Sequence, residues 1–490
     1  MSQALRQGLR DGALLVLGAG LSAGLGIVSL RLLLSGLSAE AYGQYSLFLA
    51  LSGVLGVLVL WPTHAVLRLG AEEWEESRRV GGTLGSVLGL MLLSLLGVAL
   101  VCLGWREELD RFVGAPVAGP CLAFVALMGL CNLAYSLLQP TGFGGWRTLA
   151  PVLTRVWHAG LLGLVLLGAG GVLSFAQAVQ LALVTMLPAC FLLPWVLGRR
   201  LGGLRVEGET VARAASFAAP LLVRNLAVAA VVHLDVLLIR AYLGPVEAGR
   251  YDVAYRVAEQ VVVFGFVLEF LAGPALARAA ARKEPETLRA FYRLAVPPLV
   301  GAWCLGAGLL VALAYPILTL LGAHAPEASA PVLCVLAAAI AIRGASALEA
   351  PVFDAHLISR FPTFVFALGF GLNLVLDLWS LESGWGLLGP ALATLAGFTL
   401  QAALRAWYVG RRFGVAAGKP YLAVLPVLVL VGVERLGGWP WALAAWVLTA
   451  GLLLASVRGG LLLSAEARGH LAAVRLPGLV RRALRLEASA

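Results

Sequence analysis

Arg224 and Arg343 sit about ten and about twelve residues inside long apolar runs, so each guanidinium lies roughly 15 Å deep at 1.5 Å of helix per residue. A cation near the middle of a bilayer costs several kcal/mol or more unless it faces a cavity, a partner or an anionic ligand. Arginine is also the side chain best suited to phosphate, because its planar fork stays charged and takes two oxygens at once. The chemistry implied is recognition of an anion within the membrane, that is, transport rather than bond making. Pro220, four residues before Arg224, opens the backbone locally. Asp235 follows Arg224 by eleven residues, on nearly the same helical face but about 16 Å along it, which excludes a direct intrahelical pair. Glu349 lies six residues after Arg343, about 240° around the helix, and is no partner for it either.

A second group of charges flanks these two. Arg256 and Glu259 are three apart, with Asp252 four before Arg256, a spacing at which side chains meet. Two readings stay open for them, a self-satisfied surface cluster and an outer gate whose charges pair alternately with each other and with ligand. Arg31 and Arg240 end their helices near the outer interface, where anchoring at the headgroups and contact with ligand are equally served by a long stem. The substrate-binding set is thus Arg31, Arg224, Arg240, Arg256 and Arg343. Asp235, Glu269 and Asp377 are intramembrane carboxylates able to take up H⁺ or Na⁺, and with Glu259 they form the coupling-ion or gate set.

Catalytic and metal chemistry find no foothold. The six Cys, at 102, 121, 131, 190, 304 and 334, lie in apolar stretches without CxxC spacing and read as small hydrophobes. The six His form no HxxxH or HExxH pattern, and Gly142 to Gly145 lacks the Walker lysine and follows no strand. No catalytic residue, metal or cofactor is expected, and the chain does not read as an enzyme.

The elements that position these residues follow from composition. The 490 residues are 60% hydrophobic and only 13% charged, with a mean hydropathy of +0.92, about half the charge of a soluble domain. The apolar runs are too long for barrel strands. A window of about 19 residues finds about fourteen spans, near 13–34, 43–63, 83–104, 117–138, 150–170, 175–198, 214–241, 251–275, 294–318, 330–351, 362–380, 387–409, 420–436 and 441–462. The fold class is an all-α polytopic membrane protein. The first run, about 22 apolar residues behind Arg6 and Arg10, is too long for a signal-peptide core and reads as a retained span.

The net charge of +10 is a topology signal rather than a nucleic-acid footprint. With the N-terminus inside, about 27 of the 36 Lys and Arg fall on cytoplasmic segments and adjoining helix ends. Both termini are then cytoplasmic, and the longest external loop, around Trp105 to Gly119, leaves no room for a folded domain. Trp at 105, 146, 385, 439 and 441 falls near span boundaries, as belt anchors do. The basic stretch Arg468 to Arg485 suits the anionic inner leaflet.

An internal echo divides the chain. After Arg31 comes LLLSGLSAEAYGQYSLFLAL, and after Arg240 comes AYLGPVEAGRYDVAYRV. Each sets a short turn with Glu-Ala before a Gly-x-Tyr that opens the next helix, Gly43 and Tyr45 in one copy, Gly249 and Tyr251 in the other. Six helices per half put both halves in the same orientation, related by an axis along the membrane normal. The expected organisation is an N-lobe over 1–198, a cytoplasmic linker over 199–213, a C-lobe over 214–412, two appended helices over 413–463 and a basic tail over 464–490.

These turns, together with HLDVLLIRAYLGPVEAGRYDVAYRV and GWGLLGPALATLAGF, resemble the polysaccharide-flippase (Wzx-like) branch of the multidrug/oligosaccharidyl-lipid/polysaccharide (MOP) exporter superfamily. The resemblance covers nearly the whole chain, though through turns and packing positions rather than chemistry. It implies two six-helix lobes around a central cavity and alternating access. It also implies a lipid-linked oligosaccharide substrate, moved on undecaprenyl pyrophosphate across the bacterial inner membrane for O-antigen, capsule or exopolysaccharide assembly. Relatives that handle such substrates line the cavity with Arg, matched by helix and depth to Arg31, Arg224 and Arg256. Membrane lipids and a polymerase or glycosyltransferase complex are the other partners so implied; nucleic acid is not. Alternatives within the superfamily are a lipid II flippase and a drug/cation antiporter. The first six helices hold no mid-depth acid, which weighs against the antiporter. A membrane glycosyl polymerase or ligase is the alternative of another class, and it would want a large external catalytic loop.

Overall fold

The computed structural model describes residues 3–138, 141, 144–198, 202–260, 276, 280, 282, 285–356, 358 and 360–458; the side chains of 3–16, 144–148, 192–197, 220, 223, 224, 227, 231, 232, 285 and 453–458 are not described. Among the described residues the chain is helical throughout its ordered elements. In order they are α1 (Gln3–Gly36), α2 (Ala39–Leu60), α3 (Val66–Ser77), α4 (Gly81–Gly104), α5 (Arg106–Val113), α6 (Ala118–Leu138), α7 (Gly144–Gly168), α8 (Phe175–Leu197), α9 (Gly208–Leu243) and α10 (Pro245–Glu259). The second part continues with α11 (Pro285–Ala290), α12 (Val296–Ala312), α13 (Ala314–Leu321), α14 (Pro326–Ala347), α15 (Ala350–Ala355), α16 (Arg360–Glu382), α17 (Leu388–Phe413), α18 (Leu425–Gly437) and α19 (Trp439–Arg458).

Nine segments of the described residues are long and apolar enough to cross a membrane. They coincide with nine of the expected spans. Two more, near 175–198 and 441–462, appear as the shorter apolar helices Phe175–Phe191 and Trp439–Leu452. The spans expected at 214–241 and 387–409 lie within α9 and α17, while the one at 251–275 falls mostly outside the described residues. The chain is an all-α, multi-pass membrane protein.

Local chemistry explains where helices start and stop. Ser38 caps α2 by accepting from the Ala41 N–H at 3.2 Å, with Glu40 in the first turn beside the positive helix end. Pro62 ends α2 in a 3₁₀ turn, Trp61–Ala65, and the chain resumes as the charged α3. On α4, Leu92, Leu93, Leu96, Leu100 and Leu103 are all more than half exposed. In water that ridge would be costly at about 25 cal/mol per Å² of apolar surface, whereas acyl chains solvate it without penalty.

The chain groups into two compact units. The first comprises Met1–Val253, Leu321–Ala325 and Leu374–Pro390; the second comprises Ala254–Leu320, Pro326–Asn373 and Ala391–Ala490. In the first, α1 packs along α7, α2 lies against α6 and α9, and α6 packs on α8. Its echoed turns meet: a Cβ on Gly43 would strike the Pro245 carbonyl, and one on Gly249 would lie 3.0 Å from the Gly43 Cα. Only glycine permits that approach of backbones. Cys131 and Cys190 face each other at 3.8 Å between sulfurs, unbonded, and all six cysteines are free thiols.

In the second unit α14 is the central helix, with Ala337, Ala338, Ala339, Ile340 and Ala341 wholly buried, and α12 packs against it. Small residues make that centre, so helices approach closely. The Trp303 indole donates to the Ile340 carbonyl at 3.3 Å and lies where a side chain on Gly344 would have to go. α18 and α19 pair with each other and with α12, and Trp446 donates to the Leu305 carbonyl at 2.9 Å.

Candidate functional site

Both units hold buried charge among the described residues. In the second, Arg343 projects from the tightly packed α14, partly buried, and its Nη1 is sealed from solvent with no hydrogen-bond partner among the described residues. Its guanidinium lies 5.5 Å over the Phe398 ring of α17. A ring face offers a cation a weak attraction that uses no N–H, so the fork stays available to an incoming oxygen acceptor. Ile342, next to it, lines an apolar cleft of about 460 Å³ with Ala402, Ala406, Trp407, Tyr421 and Leu428.

Glu349 lies nearby in sequence but is engaged elsewhere, as its separation around the helix from Arg343 requires. It is 2% exposed, accepts from the Tyr421 hydroxyl at 3.1 Å, and has the Arg405 guanidinium acting on it. Arg405 is itself buried, 4.5 Å over the Phe366 ring. This Glu349, Arg405 and Tyr421 group escaped sequence reasoning. Arg405 counts there as one of several basic residues at a helix end, and nothing in its spacing points to a partner more than fifty residues away.

In the first unit Asp235 of α9 and Asp377 of α16 come together. Both are buried, at 1% and 0% exposure. The Tyr251 hydroxyl donates to Asp235 Oδ2 at 2.5 Å. Neither Asp377 oxygen meets an N–H or hydroxyl donor among the described residues, and the group it faces is the Asp235 carboxyl. Two carboxylates so placed in a dry interior require a proton or a cation between them. The Gly-x-Tyr echo marks the position of Tyr251, though not its partner. The next residue, Asp252, accepts from the Tyr42 hydroxyl at 2.9 Å, Tyr42 standing just before the other Gly-x-Tyr copy.

Arg31 is exposed on α1, five residues before its end. Arg240 is partly buried; its Nε donates to the Phe112 carbonyl at 2.8 Å and its guanidinium lies 5.7 Å over the Phe112 ring, an anchoring arrangement. Arg256 is partly buried on α10, its backbone carbonyl accepting from the Gln260 amide at 3.0 Å, and Glu259 ends that helix, partly buried. Arg224 is in α9, but its side chain lies outside the described residues, as does all of Glu269. No group of three or more His, Cys, Asp or Glu able to hold a metal occurs among the described residues.

Comparison with known proteins bears on what such a membrane protein is. Residues 9–269, just over half of the chain, match the polysaccharide biosynthesis protein family. No curated protein matches the sequence. Among solved structures, the lipid II flippase MurJ in an inward closed conformation superposes with a TM-score of 0.63 at 16% identity, over 91% of this chain and 98% of that one. A multidrug-resistance MATE transporter of the MOP superfamily, inward-facing, gives 0.61 at 15% identity, over 83% and 96%. A MOP transporter from Pyrococcus furiosus, described as having a binding pocket of reverse polarity, gives 0.54 at 15% identity, over 83% and 93%. At such identities the likeness is one of fold: this chain has the fold of MOP-superfamily transporters.

Proposed function

Because the chain belongs to the polysaccharide biosynthesis protein family, we propose that it is a flippase that carries undecaprenyl-pyrophosphate-linked oligosaccharide repeat units across the cytoplasmic membrane by alternating access. The observation that carries this reading is Arg343, a guanidinium in a span of small apolar residues with one nitrogen sealed and unpaired among the described residues. A cation so placed is uncompensated until an anion arrives, and a diphosphate supplies oxygens for both arms of the fork. Arg224, at similar depth on α9, is its proposed counterpart, with Arg31 and Arg256 as further contacts. The apolar cleft beginning one residue from Arg343 offers surface to a prenyl chain attached to such a headgroup. An inside-negative potential favours outward movement of the anion by about 2.3 kcal/mol per charge per 100 mV, less whatever charge the site carries with it.

Asp235 and Asp377 are the proposed coupling-ion site, since the facing carboxyls hold a proton or a small cation in one state of the cycle and release it in another. Both termini are proposed to be cytoplasmic, on the charge distribution of the loops. The test is a leaflet assay with lipid-linked oligosaccharide in reconstituted vesicles. Arg343→Ala and Arg224→Ala abolish transfer while inserting normally; wild-type transfer by both variants refutes the assigned role. Loss of the gene causes lipid-linked repeat units to accumulate, whereas accumulation of lipid II or of a drug would point to the other transport readings.

A further inference from the structure

At the end of the first unit that the charge distribution puts in the cytoplasm, two helices confront each other across an open cavity of about 260 Å³. Arg213, Ser216 and Phe217 lie three and four residues apart, hence on one face of α9. Arg68, Leu69 and Glu72 lie on one face of α3 by the same spacing. Arg68, Leu69, Arg213, Ser216 and Phe217 line the cavity. Glu72 stands between the two guanidinia, paired with Arg68 Nε at 3.2 Å and with Arg213 Nη2. The Arg68 guanidinium lies 5.9 Å over the Phe217 ring.

Charge accounting decides what this cavity suits. The other acids of α3 with described contacts are turned elsewhere: Glu73 caps α4 by accepting from the Gly82 and Thr83 N–H groups at 2.9 and 2.7 Å, and Glu75 pairs with Arg78. Among the described residues Glu72 is the one carboxylate within ion-pair distance of either arginine, so the lining itself carries two positive charges to one negative. All three side chains are 40% to 66% exposed, so the pairs are screened and weak and can be exchanged for a stronger acceptor. A diphosphate carries more charge and more oxygens than one carboxylate, and Ser216 adds a hydroxyl donor. Phe217, exposed, supplies apolar surface beside the charges.

We propose that Arg68 and Arg213 form a loading site for a diphosphate headgroup, in which the incoming diphosphate displaces Glu72 before the substrate reaches the deeper arginines. This rests on the flippase reading and adds to it a first station. Glu72 acts as a built-in competitor that keeps the site closed until ligand arrives.

The sign of two substitutions tests it. Binding of farnesyl pyrophosphate and of inorganic pyrophosphate is titrated on the full-length protein in nanodiscs. Arg213→Gln and Arg68→Gln weaken binding about tenfold each, the worth of one charge-assisted hydrogen bond. Glu72→Gln strengthens it, by removing the competitor. A purely structural latch predicts instead that Glu72→Gln and Arg213→Gln shift binding in the same direction; that result overturns the site. Tighter binding of the farnesyl compound assigns the site to lipid-linked headgroups, and equal binding of the two assigns it to the diphosphate alone. If wild type binds neither probe, the diphosphate class fails for the whole protein along with the site. If wild type binds and the Glu72 and Arg variants match it, only the loading site falls.

Discussion

At Arg343 the shape of the charge matters as much as its sign. Lysine at that position keeps the charge but presents a point rather than a fork, so Arg343→Lys retains only part of the transfer activity that Arg343→Ala loses entirely. Initial rates in the leaflet assay separate the three proteins. At the aspartate pair the argument concerns the ion. Asp377→Asn removes one facing carboxylate and leaves headgroup binding intact, so transfer no longer responds to an imposed proton or sodium gradient while substrate affinity stays within a factor of about two; an unchanged gradient response removes the pair from coupling. Tyr251→Phe takes away the hydroxyl that donates to Asp235 Oδ2. A buried acceptor left without its donor costs about 1 to 3 kcal/mol, read as a lower melting temperature of the solubilised protein.

Among the helices, α14 shows how a charged residue is held in place. Its neighbours are alanine, glycine and isoleucine, so α12 approaches closely enough for Trp303 to reach the Ile340 carbonyl. Gly344→Ala puts a methyl where the indole lies and displaces it, at about 1 to 3 kcal/mol of overpacking. The expected readout is reduced thermal stability with partial loss of transfer, because Arg343 is the adjacent residue. The helices themselves were legible in the sequence, since an apolar run of about 20 residues has few alternatives in a bilayer. Arg343 was legible for the same reason, as a charge conspicuous in a small apolar run. The meeting of Asp235 with Asp377, and of Glu349 with Arg405 and Tyr421, was not. Each joins residues far apart in the chain, and helical periodicity states which face a residue occupies without stating which helix it faces.

For the molecule entire, composition and fold converge on a multi-pass membrane protein with the fold of MOP-superfamily transporters, and the loop arginines are the basis of its proposed orientation. Cysteines introduced at Gly114 and at Gly203 into a cysteine-free background distinguish the two sides. The first reacts with a membrane-impermeant maleimide in intact cells and the second only after permeabilisation; the opposite pattern inverts the topology.

The glycine seam between the two echoed turns limits how this sequence is able to vary. Where Gly43 presses on the Pro245 carbonyl and Gly249 on Gly43 itself, neither turn is free to gain bulk while the other stays as it is. A methyl on either glycine demands retreat of the facing backbone, so homologues that keep this contact should keep glycine at both 43 and 249 while the residue at 245, touched only through its carbonyl, is free to change.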